Sequence, residues 1–258
     1  MIMENSQNSR STEDLLHWYT STAGQWLSRQ ESAMLEQALP GLFGYHLLAA
    51  GLANPDDALE SSPIRHKIAI YPSGSESSMD RVDADLLDLP FQNDAVDVMV
   101  LSHVLEGSSQ PHSILREAER VVRPDGHVAI LAFNPLSLYG MTRLILGLPS
   151  RQQKKRHLPW HGHYYGITRL RDWLQLLGFE IVKLSYCAFL PPIQHEPTLR
   201  YLMFIEDLGR RYVPVIGGVY LVVARNMVVT PTVIKPRWRP KKALIESGAI
   251  EPSNRIKK

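Results

Sequence analysis

The side chains of this 258-residue chain that could do chemistry gather at the ends of short apolar runs. Asp85-Leu86 opens the stretch Asp-Leu-Leu-Asp-Leu-Pro-Phe (85–91), Ser102-His103 closes the run that begins at Ala95, and Gly51 closes the one that begins at Gly44. A carboxylate accepts hydrogen bonds, an imidazole of ordinary pKa exchanges a proton near neutrality, and a glycine lets another group approach the backbone closely. His157, His161 and His163 crowd one segment, but no cysteine and no convincing carboxylate accompanies them, so a metal site is not expected. Cys187, the single cysteine, cannot form an internal disulfide; its apolar surroundings suit a core residue in a reducing cytoplasm better than a nucleophile. No phosphate-binding loop, zinc spacing or serine triad stands out.

These residues need elements to position them. Apolar side chains recur at helical spacing from Ser11 to Leu39, with Ser11 or Thr12 as the N-cap. This predicts a helical lead-in over 11–40, whose Trp18, Tyr19 and Trp26 either join the core or cap a cleft. Strands are expected at 44–51, 66–71, within 79–84, and at 95–101, 126–133, 179–186 and 218–224. A helix over 111–122 puts Ile114, Ala118, Val121 and Val122 on its apolar face and turns Arg116, Glu117, Glu119 and Arg120 away. Another starts at a Thr168 cap, carries Leu170, Trp173, Leu174 and Leu177, and stops at Gly178; residues 197–211 could form one more. Gly217-Gly218 suits a bulged or hairpin-like entry to the last strand. The alternation of strands and helices implies a doubly wound, mostly parallel, seven-stranded α/β sheet of Rossmann-like form. Ligands of such sheets lie beyond the carboxyl ends of the strands, where Gly51, Tyr71, Asp85-Leu86, Ser102-His103 and Asn134 fall.

With 44% hydrophobic and 21% charged residues, the chain suits one domain over 11–229, preceded by a disordered segment 1–10 and followed by a basic flexible tail 230–258. The net charge of +2 is too small to imply a nucleic-acid partner by itself. Its distribution is uneven. The tail carries Lys235, Arg237, Arg239, Lys241, Lys242, Arg255, Lys257 and Lys258, and a second cluster, Arg151-Gln-Gln-Lys-Lys-Arg-His157, sits in an apparent loop. Each is either a solvated surface or a site for nucleic acid, phosphate or an acidic partner. Residues 1–10 lack the apolar core of a signal peptide or anchor. The longest apolar run, 213–223, is broken by Pro214, Gly217 and Gly218 and falls short of the roughly 20 residues of a spanning helix. A soluble cytoplasmic protein with no membrane insertion is expected.

The blocks Asp85-Leu-Leu-Asp-Leu-Pro-Phe91, Val96-Asp-Val-Met-Val-Leu-Ser-His-Val-Leu-Glu106 and Leu115-Arg-Glu-Ala-Glu-Arg-Val-Val-Arg-Pro-Asp-Gly126 together resemble the type 11 group of class I S-adenosylmethionine-dependent methyltransferases. The later run from His163 to Phe179 is similar to that group as well. Within it, the chain resembles a bacterial subfamily with an altered first glycine motif. The resemblance implies S-adenosylmethionine as cofactor and methyl transfer to an unidentified acceptor. It implies that the Asp85 carboxylate accepts from the adenine amine while the Leu86 N–H serves a ring nitrogen, the alternative being that Asp85 only shapes a turn. It implies that Ser102 and His103 lie near the reactive methyl group, His103 with a pKa near 6.5 taking the acceptor's proton, or else capping a loop. Asn134 lines the same cleft or stops its strand, and Asp97 is structural.

The departures from the group's pattern are specific. Its first strand ends in an acidic residue and a Gly-x-Gly-x-Gly loop, whereas here Ala49-Ala-Gly-Leu-Ala53 retains only Gly51 and places Ala49 where the carboxylate belongs. The second strand ends in Ile70-Tyr71-Pro72, without the acid that would hold the ribose. Each lost charge-assisted hydrogen bond is worth about 1.5–3 kcal/mol, so two losses weaken cofactor binding by roughly two to four powers of ten unless replaced. Asp56, Asp57 and Ser73 are nearby polar candidates. The competing reading is a non-catalytic protein of the same fold that binds a nucleic acid or protein through its basic loop and tail.

Overall fold

The computed structural model describes residues 17–70, 79–138, 140, 163–190, 206, 208–209 and 211–227. By its contacts the chain divides into Met1–Val228 and Val229–Lys258, and the second unit lies wholly outside the described residues. So do segment 1–10, the Ser11 or Thr12 cap, Tyr71, Ser73, the 151–157 cluster, His157 and His161.

The sheet is built from β1 (His46–Ala50), β2 (His66–Ile70), β3 (Asp80–Val82), β4 (Val96–Ser102), β5 (Val122–Phe133), β6 (Phe179–Cys187) and β7 (Val219–Asn226). Their order is β3-β2-β1-β4-β5-β7-β6, with β7 antiparallel to both neighbours and the other pairings parallel. This is the seven-stranded, mostly parallel sheet expected from the sequence. Strand order reverses between β1 and β4, so their carboxyl ends flank the crevice where doubly wound sheets hold ligands. The helices are α1 (Thr22–Ala38), α2 (Pro55–Leu59), α3 (Val104–Gly107), α4 (Pro111–Val121) and α5 (Ile167–Leu176).

Because strand side chains alternate, the central strands feed two cores. Leu47 and Ala49, Val98 and Val100, Leu131 and Phe133, and Leu221 and Val223 join Leu27, Leu35 and Leu39 on one side. Leu48, Met99, Leu101, Ile130 and Val222 meet Ile114 and Leu115 of α4 and Leu170 and Leu174 of α5 on the other. The first face is therefore covered by the N-terminal lead-in.

That lead-in is broken. Residues 17–19 are helical, the chain turns at Thr20 and Ser21, and α1 restarts at Thr22 with the Ser21 hydroxyl accepting from Gly24 N–H at 3.2 Å. A Cβ on Gly24 would stand 2.3 Å from the Trp18 carbonyl oxygen, so only glycine lets the preceding turn fold back against α1. Trp18 and Tyr19 are buried and Trp26 is partly buried.

Three other boundaries differ from expectation. β5 begins at Val122, because Val96 pairs with Val122 and Val98 with His127; residues 123–126 bulge opposite Asp97 rather than preceding the strand. Asp97 uses the bulge. Its carboxylate pairs with Arg123 and accepts from Tyr45 N–H at 2.8 Å and His46 N–H at 2.9 Å, joining β1, β4 and β5 away from the crevice. α5 is preceded by Gly166 as N-cap, with Thr168 exposed inside its first turn, although Gly178 at φ +81° follows it as expected. The last strand is entered through a 3-10 turn, Pro214–Ile216, and the irregular register lies instead in β6 between Ile181 and Lys183.

Candidate active site at the switch point

Gly51 follows β1 at φ +78°, a conformation that costs other residues steric strain. A Cβ there would stand 2.0 Å from the Ser102 carbonyl oxygen, so glycine is what lets the ends of β1 and β4 close together. Leu52 turns into the first core at 4% exposure, and Ala49, 2% exposed, points to that same face. Asp56 and Asp57 lie exposed in the first turn of α2.

Ser102 is buried and ends β4, and His103 follows in a left-handed conformation, φ +53°. Its backbone N–H donates to Leu131 at 2.9 Å. The ring lies against Phe133, centroids 3.9 Å apart, and its two nitrogens meet two carboxylates. Nδ1 stands 3.2 Å from Glu106 Oε1 and Nε2 stands 2.9 Å from Glu31 Oε1. Glu106 Oε1 also accepts from Phe133 N–H at 2.8 Å, while Oε2 is buried without a hydrogen-bond partner. The Tyr19 hydroxyl donates to Glu31 at 2.8 Å.

Burial alone would lower the His103 pKa, but the charge of Glu31 and the hydrogen bonds to Glu106 and Glu31 outweigh it and raise it to about 9. The value near 6.5 expected from sequence is thus not the one this setting gives. Near neutrality His103 is an imidazolium held between carboxylates. Burial first, and Glu31 second, push the Tyr19 phenol well above its ordinary value, so it remains a donor.

Glu31 and Glu106 were not picked out from sequence. Glu31 lies between Leu27 and Leu35 in the stripe of α1 that packs on the sheet, and a charge four residues from each of two buried leucines was the available signal. Glu106 carries no comparable periodic mark, because α3 has only four residues.

Asp85 lies past the end of β3, exposed, in a turn where its Oδ1 accepts from Leu87 N–H at 3.0 Å and its carbonyl from Asp88 N–H at 3.1 Å. The turn-forming role is therefore present, and it leaves the second carboxylate oxygen toward solvent. Glu117 and Arg120, turned away from the apolar face of α4, grip the following loop. Glu117 accepts from Leu89 N–H at 2.8 Å; Arg120 donates to the carbonyls of Leu89 at 3.0 Å and Phe91 at 2.9 Å and to Asn93 Oδ1 at 2.8 Å. The two side chains also pair through two hydrogen bonds, 2.6 and 2.9 Å, which hold the Glu117 carboxyl below its ordinary pKa.

Asn134 is buried, donating to the carbonyls of Val215 at 2.7 Å and Gly217 at 3.0 Å and accepting from Leu136 N–H at 3.1 Å. It ties β5 to the approach of β7. His163 is exposed, its backbone N–H donating to the Glu106 carbonyl at 3.0 Å. Among the described residues, no three His, Cys, Asp or Glu gather as metal ligands.

Residues 58–130 match the family model described as a methyltransferase domain. The uncharacterized protein YafS of Escherichia coli (strain K12) is 31% identical over 200 residues, covering 78% of this chain and 75% of YafS. This chain belongs to the class I methyltransferase family, beside YafS. A ubiquinone/menaquinone biosynthesis C-methyltransferase, UbiE of Ruegeria sp. (strain TM1040), is 33% identical over 66 residues, 26% of each chain. The fold is that of a Thermotoga maritima S-adenosylmethionine-dependent methyltransferase, with a TM-score of 0.55 at 14% identity over 78% of this chain and 92% of that one.

The cofactor of this methyltransferase family is S-adenosylmethionine, and the switch point can be tested against its two ends. At the end of β3, Asp85 presents an exposed carboxylate, a group able to accept from an amine, on a clamped loop. The amino acid end carries a positive ammonium and needs negative charge. Ala49 provides none, but Glu31 and Glu106 bring two carboxylates to the carboxyl end of β4, one with an unpartnered oxygen. The donor set suits a cationic ligand.

Proposed function

We propose that this methyltransferase binds S-adenosylmethionine across the carboxyl ends of β1, β3 and β4 and transfers its methyl group to an unidentified acceptor. Bound there, the cofactor would supply an electrophilic methyl group on a sulfonium. The chain's part is to bind, orient and exclude water. Asp85 accepts from the adenine amine and the Leu86 N–H serves a ring nitrogen. Gly51 and Ser102 hold the two strand ends together. His103 anchors Glu31 and Glu106 rather than taking the acceptor's proton, because an imidazole with a pKa of about 9 already carries its proton near neutrality.

The observation that carries this reading is Asp85, exposed at the carboxyl edge of the sheet with its loop gripped by Glu117 and Arg120. Calorimetric titration with S-adenosylmethionine and S-adenosylhomocysteine tests it. Micromolar binding is expected, weakened roughly tenfold to a hundredfold in Asp85→Ala. A folded protein that binds neither ligand at millimolar concentration overturns the reading.

The buried Ala49 favours a second reading, in which the fold is kept for non-catalytic binding of a nucleic acid or protein through the basic loop and tail. Partner binding that disappears with residues 230–258 and is indifferent to Asp85→Ala would support it. The bacterial relatives and the single, buried Cys187 support work in a reducing bacterial cytoplasm.

A further inference from the structure

We propose that Glu31, delivered by α1, takes over the role of the acid missing at Ala49, and that with Glu106 it forms the binding site for the amino acid ammonium of the cofactor. This rests on the cofactor reading above and names the residues that make it workable despite the altered first strand.

Three observations converge. First, Ala49 and the apolar stripe of α1 pack in the same core, so an acidic side chain at position 49 would point toward the face that α1 covers. Glu31 enters that face from the opposite side, between Leu27 and Leu35. Second, its carboxylate reaches the switch point: it meets His103, which immediately follows Ser102, and the Ser102 carbonyl is the atom packed against Gly51. Third, acceptors outnumber donors. Two carboxyl groups, Glu31 at 5% and Glu106 at 3% exposure, share the two nitrogens of one buried imidazole ring. Tyr19 contributes a donor to Glu31 and no charge, and Glu106 Oε2 has no hydrogen-bond partner. A buried carboxylate oxygen without a donor is costly, and an N–H of an ammonium relieves the cost.

A purely structural cluster would be expected to satisfy its own acceptors. An ammonium has three donors and no acceptor, which matches the spare oxygen of Glu106 and the remaining lone pairs of Glu31. The N-terminal lead-in thereby becomes part of the cofactor site, and the glycine-rich loop ceases to be its sole support.

The test compares two ligands that share adenosine and a thioether but differ in the amino acid group: S-adenosylhomocysteine and 5′-methylthioadenosine. Wild type should bind the first more tightly. In Glu31→Gln, affinity for S-adenosylhomocysteine should fall about tenfold or more, while that for 5′-methylthioadenosine stays within about twofold. Equal effects on both ligands, or on neither, overturn the proposal. If Glu31→Gln loses its folded circular dichroism, Glu106→Gln is put to the same comparison, with the same selective loss expected and the same equal effects fatal. Wild type that binds neither ligand refutes the cofactor reading itself, a result distinct from wild type that binds both with no selective loss in the variants.

Discussion

His103 Nε2 stands 2.9 Å from Oε1 of Glu31, a carboxylate 72 residues earlier in the chain, and this contact fastens the lead-in helix to the end of β4. It also makes stability depend on pH. The His103 pKa is raised from 6.5 to about 9 in the folded protein, so its contribution is complete below the unfolded value and is lost as pH rises through the folded one. The shift corresponds to about 3 kcal/mol for this buried ring. Urea unfolding should show stability falling from about pH 6.5 to about pH 9, and His103→Gln should start lower and lose that slope. An unchanged slope in the variant would assign the alkaline loss elsewhere.

Much of this arrangement was legible in the sequence, and the exceptions share a cause. The strands announced themselves because β1, β4 and β5 are buried on both faces and read as continuous apolar runs. The turns that place Asp85 and Gly51 at strand ends were legible because their motifs are local. Glu31 was not, since its partner lies 72 residues away, and nothing in Leu27-x-x-x-Glu31-x-x-x-Leu35 names His103. For the same reason the His103 pKa was misjudged: the ring's own neighbours in sequence include one of the two carboxylates and not the other. The partners of Glu117 and Arg120 were not legible, because helical periodicity places a side chain on a face without saying what loop crosses it.

That loop gives a second prediction. Arg120 donates to two backbone carbonyls and to Glu117, a planar fork that an ammonium cannot reproduce. Arg120→Lys should therefore be nearly as harmful as Arg120→Ala. Each should lower unfolding stability by about 1–3 kcal/mol and weaken binding of adenine-containing ligands by releasing residues 85–93. Urea denaturation and calorimetry check both parts, and a lysine variant matching wild type in each would refute the fork argument.

Gly51→Ala tests the junction of β1 and β4. The substitution combines a positive φ with a methyl group 2.0 Å from the Ser102 carbonyl, where the neighbour is backbone and yields poorly. A loss on the order of 2–4 kcal/mol is expected. The damage should be focused at the switch point, so hydrogen exchange should rise at Leu52 and His103 before it rises in α4. Wild-type stability in this variant would mean that the strand ends separate freely.

Asn134, the residue after Phe133, offers the last prediction. Its amide donates to the Val215 and Gly217 carbonyls and its oxygen accepts from Leu136 N–H, while Asn134 N–H itself donates to the Gly218 carbonyl. One side chain thus serves three backbone groups at 4% exposure. Asn134→Asp keeps the acceptor but exchanges both donors for an oxygen facing two carbonyl oxygens, which costs more than simple deletion in a buried site. Asn134→Asp should thus be the less stable variant near neutrality, with Asn134→Ala intermediate at about 1–3 kcal/mol below wild type. Lowering the pH to protonate the introduced carboxyl restores one donor, so the gap between the two variants should narrow in acid. Unfolding curves at neutral and acidic pH measure that gap; a gap independent of pH would show that the two carbonyls do not face the side chain in solution.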